Sequence, residues 1–187
     1  MKEIEALRQQ CGGCFKCSVA RPNCHVFSSM NIDANVMLVG QSPGEEEIDA
    51  GIPFLGSGSD CLMQEIQDIC GLSRSSIYMT NVVKCMPKGR RPKRRDLQQC
   101  RHFLDKEIAL VNPDLIIAAG ALPFKVLTGM SGIEKHYGEI AYSPRYNVEV
   151  LPIMAPNRNL FDSDERVGEL RTALQMVKSQ LDKIERG

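Results

Sequence analysis

The sequence predicts an α/β fold of three layers (α/β/α), in which helices cover both faces of a central, mostly parallel four-stranded sheet. Short apolar runs of strand length alternate along the chain with longer segments of helical periodicity. The apolar runs are hydrophobic at almost every position, as expected of strands that are buried on both sides. No repeat or linker interrupts the 187 residues, so we expect residues 1–187 to form a single domain.

The elements follow one another in the order that such a sheet requires. The predicted strands are residues 35–40, 77–83, 115–120 and 149–153. The predicted helices are residues 59–70, 95–111, 121–128 and 163–184. Pro152 cannot donate a ladder hydrogen bond, which places it near a strand end. Because ligands of parallel sheets bind at the carboxyl ends of strands, we expect a site in the loops after Gly40, Thr80 and Ile153.

Composition and charge exclude several classes of protein. Hydrophobic residues make up 43% and charged residues 25% of the chain, which is ordinary for a globular domain. The first ten residues are charged and helix-like, and no run approaches the roughly 18 apolar residues of a membrane span. We therefore expect a cytoplasmic, intracellular monomer that does not bind membranes. Lysine plus arginine (23) equals aspartate plus glutamate (23), so binding to a polyanion has to come from local clustering.

Eight cysteines without an export signal favour metal ligation or redox chemistry over a disulfide framework. Six of them form two groups: Cys11, Cys14, Cys17 and Cys24 near the N-terminus, and Cys85 and Cys100 downstream. A C-x-x-C pair supplies two corners of a tetrahedral thiolate site, and folding brings a second pair to it. A cluster held by the four N-terminal cysteines alone is the alternative. Spacing does not distinguish zinc from iron-sulfur.

Four further motifs accompany the cysteines. They are GQSPGEEE at residues 40–47, GIPFLG at 51–56, TNVVKCMPKGRRP at 80–92 and PDLIIAAGALPFKVL at 113–127. In this order and spacing, the chain from residue 14 to about residue 160 resembles the iron-sulfur uracil-DNA glycosylases, usually called family 4. The resemblance implies an enzyme that flips uracil or a modified pyrimidine out of DNA and hydrolyses its N-glycosidic bond.

The resemblance also implies roles for particular residues. A structural [4Fe-4S] cluster would be bound by Cys14, Cys17, Cys85 and Cys100, with Cys11 as the competitor for an N-terminal place. Gln41 would lie at the active site, Phe54 would stack on the flipped base, and Asn81 would recognise its pyrimidine edge. An amide suits this last role because it both donates and accepts hydrogen bonds.

One position departs from the family pattern. The family's last motif begins with a His-Pro pair whose histidine stabilises charge on the departing base, and here Ala155 precedes Pro156. Loss of one such donor typically costs ~10²–10³ in rate. Gln41 and Ser42 also stand where the family usually has glutamate and alanine. We therefore expect the catalytic groups to be Gln41, Ser42, Asn157 and Arg158.

A basic segment between two of the expected cluster ligands predicts contacts with DNA phosphates. The expected DNA-binding residues are Arg90, Arg91, Lys93, Arg94 and Arg95, together with Leu160, which corresponds to the leucine that the family wedges into the duplex. Two other functions stay open. One is a catalytically weak or inactive DNA-binding or base-binding module of the same fold, which the alanine at position 155 favours. The other is a ferredoxin-like redox protein that uses the N-terminal cysteines.

Overall fold

A mostly parallel sheet forms the middle layer of the molecule. The structure is a computed structural model that describes residues 2–87 and 91–184, without the side chains of Arg158 and Asn159. Within these residues the strands are β1 (Val36–Gly40), β2 (Ile77–Asn81), β3 (Leu115–Ala119), β4 (Ala141–Ser143) and β5 (Val148–Ile153). Their order across the sheet is β2-β1-β3-β5-β4, and β4 alone among them pairs antiparallel. The predicted fold class is confirmed, and β4 is an edge strand that the sequence analysis did not predict.

Helices cover both faces of the sheet. Those in the described residues are α1 (Lys2–Gly12), α2 (Glu45–Ala50), α3 (Ser57–Cys70), α4 (Arg94–Val111), α5 (Ala121–Thr128), α6 (Arg158–Phe161) and α7 (Asp164–Ile184). Helices α1, α4 and α5 pack on one face, while α3, α6 and α7 pack on the other. None of the helices in the described ranges has the length and apolar character needed to cross a bilayer.

The alternation of side chains along β1 explains why its sequence is apolar throughout. Met37 and Val39 point into the core under α1, α4 and α5. Val36 and Leu38 point into the core under α3 and α7. A strand in this position is buried on both faces, so it has no polar side to present to water.

The N-terminal segment covers the β2 edge of the sheet. Ser28 forms an isolated bridge with Thr80, and the backbone N–H of Ser29 donates to the carbonyl of Met79 at 2.9 Å. A second bridge joins His25 to Cys85, just beyond the end of β2. The edge is therefore paired rather than open. The same pairing carries the cysteine-rich N-terminus to the carboxyl ends of the strands.

Candidate functional site

Four of the expected residues lie together at the carboxyl edge of the sheet, and we name this cluster the pocket: Gln41, Ser42, Phe54 and Asn81. Gly40 ends β1 and lies beside Asn81 of β2 in the parallel register. A Cβ atom added at Gly40 would overlap the Oδ1 of Asn81 and would lie 2.9 Å from the Cζ of Phe54. Glycine is therefore required here, because the amide and the aromatic ring both approach its backbone closely. Gln41 and Ser42 follow directly and are half-buried.

Phe54 is held in a backbone conformation that is unusual for a residue with a side chain. Its φ is +56°, and only 4% of its surface is exposed. Its N–H donates to the Oε1 of Glu47 at 2.6 Å, and its carbonyl accepts from the guanidinium of Arg74. Arg74 is in turn paired with Asp60 at 2.9 Å. These contacts offset a strain of about 1–3 kcal/mol, which indicates that the position of the ring matters.

Glu47 is a site residue that the sequence analysis missed. One carboxylate oxygen accepts from Phe54 and the other accepts from the N–H of Gly44 at 2.7 Å, so it joins the strand-end turn to the aromatic loop. Burial raises the pKa of Glu47, although the N–H groups of Gly44 and Phe54 work in the opposite direction. A signal was available, because an acid three residues after the helix start at Gly44 is half of a capping box.

Asn81 has a buried donor that lacks a partner. Its side chain is 3% exposed, and among the described residues its Nδ2 atom has no well-formed hydrogen bond. The amide lies near enough to Glu47 to lower the pKa of that carboxyl, without meeting the geometry of a hydrogen bond. A buried polar group left unpaired costs about 1–3 kcal/mol, so such groups commonly mark a ligand site.

The loop after β5 lies at the same carboxyl edge of the sheet, next to the end of β3. A Cβ atom added at Gly120 would lie 3.1 Å from the Cβ of Ala155, so Ala155 sits directly above the end of β3. A Cβ atom added at Gly58 would lie 3.0 Å from the carbonyl oxygen of Pro156, which packs the loop on the first turn of α3. Asn157 caps α6, and its Oδ1 accepts from the N–H of Leu160 at 3.1 Å.

Leu160 does not lie where the sequence analysis placed it. We expected it to contact DNA, but it is 2% exposed and packs in the core beneath α3 and α7. The prediction is therefore corrected: α6 turns this side chain inward, because its apolar surface completes the core on that face. Arg158 begins α6, and its side chain lies outside the described atoms.

Cysteines from three separate segments converge on one small cavity. Its lining includes Cys11, Cys14, Cys17, Cys85 and Cys100. The N-terminal cysteines come from the end of α1 and the loop after it, Cys85 follows β2, and Cys100 lies in α4. The four expected ligands are therefore brought together. Cys11 also faces the cavity and is fully buried, so geometry keeps it as a competitor.

The chemistry of these sulfur atoms fits a thiolate-bound metal centre. Burial raises the pKa of Cys11 to about 12 and that of Cys100 to about 11, and it raises the pKa of Cys85 well above its ordinary value. Metal binding at neutral pH would therefore release protons from these thiols. The backbone N–H of Lys84 donates to the Sγ of Cys100 at 3.3 Å, a contact that stabilises a thiolate. The residues present thus fit an iron-sulfur cluster or zinc.

The remaining cysteines differ in their placement. The ligand atoms of Cys24, His25 and Cys85 lie within 4.8 Å of one another, so Cys24 adjoins the centre without lining its cavity. Cys61 and Cys70 lie on α3, across the sheet from the cluster of cysteines. Cys61 is exposed, and the buried Cys70 donates to the carbonyl of Leu174 at 3.4 Å. These two are surface and core thiols rather than ligands.

A buried ion pair connects the cysteine centre with the pocket. Lys84 and Glu107 are 1% and 0% exposed, and their charged groups are in contact. The Nζ of Lys84 also donates to the Oγ1 of Thr80 and to the carbonyl of Asn81, the latter at 2.8 Å. The carboxylate of Glu107 accepts from Tyr78 and Thr80 at 3.0 and 2.8 Å. The bond to the carbonyl of Asn81 thus ties the buried pair to the backbone between the pocket and Cys85.

The basic segment leads into α4, and the carboxylate of Asp96 anchors it to the cysteine loop. Arg91, Lys93, Arg94 and Arg95 are exposed, whereas Arg90 lies outside the described residues. The carboxylate of Asp96 accepts from the N–H of Lys93 at 2.9 Å and from the hydroxyl of Ser18 at 2.7 Å. Asp96 therefore joins the start of α4 to the cysteine loop. It is 1% exposed, whereas the described cations of the segment are exposed.

The sequence that forms this site and its surroundings matches the model of a known protein family. The family model described as the uracil DNA glycosylase superfamily matches residues 27–176. The chain belongs to the uracil-DNA glycosylase superfamily. This confirms the resemblance inferred from the motifs.

Three relatives within the superfamily are type-4 uracil-DNA glycosylases. The protein of Sulfurisphaera tokodaii is 31% identical over 134 residues, or 71% of this chain and 61% of the relative. That of Thermotoga maritima is 41% identical over 97 residues, or 51% and 50%. That of Pyrobaculum aerophilum is 32% identical over 133 residues, or 70% and 67%. The chain thus spans about half to two thirds of the length of these relatives.

Replacing Leu160 by alanine tests its place in the core. We expect the free energy of unfolding to fall by about 2–5 kcal/mol, since a buried leucine loses its contacts and leaves a cavity. DNA affinity of the folded variant should be unchanged. Urea unfolding and a DNA titration measure the two effects. Normal stability with weakened DNA binding would instead restore the leucine to the DNA surface.

Replacing Lys84 by methionine tests the buried pair. We expect the free energy of unfolding of the metal-loaded protein to fall by about 3–5 kcal/mol, because Glu107 is left as an unpaired buried acid. The double variant Lys84→Met/Glu107→Gln removes that charge and should recover part of the loss. Urea unfolding of both variants gives the comparison. Equal stability of the single and double variants would show that the unpaired charge of Glu107 does not cause the loss of stability.

Proposed function

We propose that this protein is a DNA glycosylase that flips uracil out of DNA and hydrolyses its N-glycosidic bond. One observation carries the proposal: at the carboxyl edge of the sheet, the side chain of Asn81 meets the ring of Phe54 over Gly40, and its buried Nδ2 has no hydrogen-bond partner among the described residues. A flipped base offers the two things that these groups lack, a hydrogen-bonding edge and a flat apolar face. The type-4 relatives support uracil as the base.

Base recognition is assigned to Asn81 and Phe54. Uracil presents an N3–H donor next to a carbonyl acceptor. The Oδ1 of Asn81 would accept from N3–H, and its Nδ2 would donate to the carbonyl. The carboxylate of Glu47 can only accept hydrogen bonds, so it favours the amide orientation with nitrogen on its own side. Cytosine has the reverse donor and acceptor order at these atoms and would be disfavoured.

The attacking water is assigned to the side of Gln41 and Ser42. Both follow Gly40 at the mouth of the pocket, and both are half-buried, so a water there is shielded without being excluded. Neither a carboxamide nor a hydroxyl takes up a proton near neutral pH. These groups therefore hold and orient the water by hydrogen bonds. The bond from the base to C1′ breaks first and its electron pair leaves with the base. The water oxygen then bonds to C1′, and the proton that it loses passes to the uracil anion or to bulk water.

Charge on the departing base needs a donor near Ala155. Its methyl group donates nothing. Asn157 lies two residues further on. Its Oδ1 accepts from the N–H of Leu160, so its Nδ2 is the atom that would donate to the base. Arg158 is the second candidate for the same role. If neither side chain supplies the donor, we expect a rate of excision ~10²–10³ lower than that of a site with histidine.

We assign a [4Fe-4S] cluster to Cys14, Cys17, Cys85 and Cys100. When bound, it supplies a structural cross-link, since hydrolysis of an N-glycosidic bond transfers no electron. The chain's own residues then have two tasks. Lys84 donates its N–H to Cys100 and its ammonium to the carbonyl of Asn81, so the ligand segment and the base pocket share one rigid turn.

The proposed partner is DNA, single-stranded or double-stranded, bound by the exposed start of α4. Arg91, Lys93, Arg94 and Arg95 are assigned to phosphates, together with Arg90, which lies outside the described residues. Because the segment lies between Cys85 and Cys100, metal binding would hold its cations in place.

Release of free uracil from a uracil-containing single-stranded oligonucleotide tests the proposal. Anaerobically purified protein should release uracil, while Asn81→Ala should lose the activity at unchanged stability. An oligonucleotide with 5-hydroxymethyluracil shows whether a modified pyrimidine is taken instead. If every base stays attached although the protein binds DNA, the alternative of an inactive base-binding module holds.

The cluster assignment predicts metal content and ligand identity. Anaerobic protein should contain about four irons and absorb broadly in the visible range. Cys85→Ala and Cys100→Ala should lose iron and stability together, because metal binding and folding are coupled. Cys24→Ala, a buried thiol replaced in the same way, should keep its iron. Stoichiometric zinc without iron, or iron loss confined to the Cys11 and Cys24 variants, would contradict the ligand set.

Replacing Ala155 by histidine tests the missing donor. We expect excision of uracil to rise by roughly 10–100-fold, a part of the ~10²–10³ that losing one donor to a developing anion usually costs. The gain should appear in the chemical step under single-turnover conditions rather than in DNA affinity. Ala155→Leu adds bulk without a donor and should give no gain. An equal effect of both variants would show that packing, and not charge stabilisation, is altered.

A further inference from the structure

A groove on the helical face of the molecule is not used by the proposed reaction. It has a volume of about 480 Å³ and runs between α4, α5 and the turn that joins β4 to β5. This is within the usual range for a ligand site, ~300–1,000 Å³. The pocket with Asn81 and Phe54 is built from other residues, although Arg94 at one end of the groove also belongs to the basic segment assigned to DNA.

Two helical stripes form the walls of the groove. On α4 the lining residues Arg94, Leu97 and Arg101 are spaced three and four apart, which puts them on one face. On α5, Leu122 and Val126 are spaced four apart and are half-buried. Seven residues at about 1.5 Å each separate the two arginines, so this wall is about 10 Å long. Leu97, Leu122 and Val126 form an aliphatic floor between these walls. The groove is about as long as a three-residue extended peptide.

The rim of the groove is positively charged. Four cations line it, Arg94, Arg101, Lys125 and Arg145, and no carboxylate is among its described lining residues. In a chain whose net charge is zero, such a concentration is local and uneven. Lys125 and Arg145 are exposed, so their charges face whatever enters.

Asp105 fixes part of this rim from behind. It accepts from the Nη2 of Arg145 at 2.7 Å and from the hydroxyl of Tyr146 at 2.6 Å, and it lies 3.8 Å from the Nε of Arg101. Partial burial works against ionisation, but the bonds from Arg145 and Tyr146 prevail and lower the pKa of Asp105. This carboxylate thus orients the guanidinium of Arg145, while that of Arg101 donates to the carbonyl of Val126 at 3.1 Å, and the four cations leave the rim with an excess of positive charge.

We propose that this groove binds an acidic peptide segment of a partner protein, with carboxylates on the cationic rim and an aliphatic side chain on the floor. Charge complementarity selects an anionic occupant, and the aliphatic floor favours a peptide over a phosphate backbone, which has no apolar group to bury there. The lining residues include no aromatic ring on which a nucleotide base would stack.

Fluorescence polarisation with a labelled ten-residue peptide of alternating glutamate and leucine tests the proposal on the full chain. The variant Lys125→Glu/Arg145→Glu should bind this probe at least about tenfold more weakly, because two attractive rim contacts become repulsive. Lys178→Glu/Lys183→Glu carries the same charge change on α7, across the sheet, and should bind like the wild type. A peptide of alternating glutamine and leucine should not bind.

Three results would overturn the proposal. The glutamine peptide binding as well as the glutamate peptide would show that contact is merely apolar. Equal weakening by both double variants would show an effect of net charge alone. Lys125→Glu/Arg145→Glu losing affinity for a single-stranded oligonucleotide in step with the peptide would place the groove on the nucleic-acid surface. Thermal unfolding of each variant ensures that a folded protein is compared.

Discussion

The ammonium group of Lys84 holds together the two functional parts of the molecule. It is buried, it is paired with Glu107, and it donates to the carbonyl of Asn81, while the N–H of the same residue donates to Cys100. A buried charge is stable only when its partners surround it. Movement of either the cysteine segment or the pocket would break that set of contacts. We infer that the position of the Asn81 amide, proposed to recognise the base, depends on the cysteine centre that begins one residue beyond Lys84.

The pocket depends on the lack of a side chain at Gly40. With no Cβ atom at the end of β1, the amide of Asn81 and the ring of Phe54 meet over the backbone. Glu47 and Arg74 then hold the strained Phe54 from its two backbone groups. The same edge carries Ala155 on its far side, where the loop after β5 packs against Gly120. The groups proposed to recognise the base are thus held in place, whereas the loop proposed to face the departing base carries an alanine at position 155.

The sequence was informative where one physical signal dominates. Unbroken apolar runs located β1, β2 and β3, and a motif in register located Phe54 and Asn81. The sequence was less informative where contacts between distant segments determine whether a strand forms or which way a side chain points. The short strand β4 forms only because β5 offers an edge, and Leu160 turns inward because the core under α3 and α7 has room for it. Glu47 was missed because an acid in a helix's first turn is ordinarily only a cap.

The most direct test of the account is the preference of the pocket for one base, independent of any cleavage. The measurement is the affinity of anaerobic protein for oligonucleotides that carry 2′-fluoro-deoxyuridine or 2′-fluoro-deoxycytidine, neither of which is readily hydrolysed. The account predicts at least about tenfold tighter binding of the uracil analogue, since each unpaired hydrogen-bonding group costs about 1–3 kcal/mol, and no preference in Asn81→Ala. Equal affinity of the wild type for both oligonucleotides would contradict it.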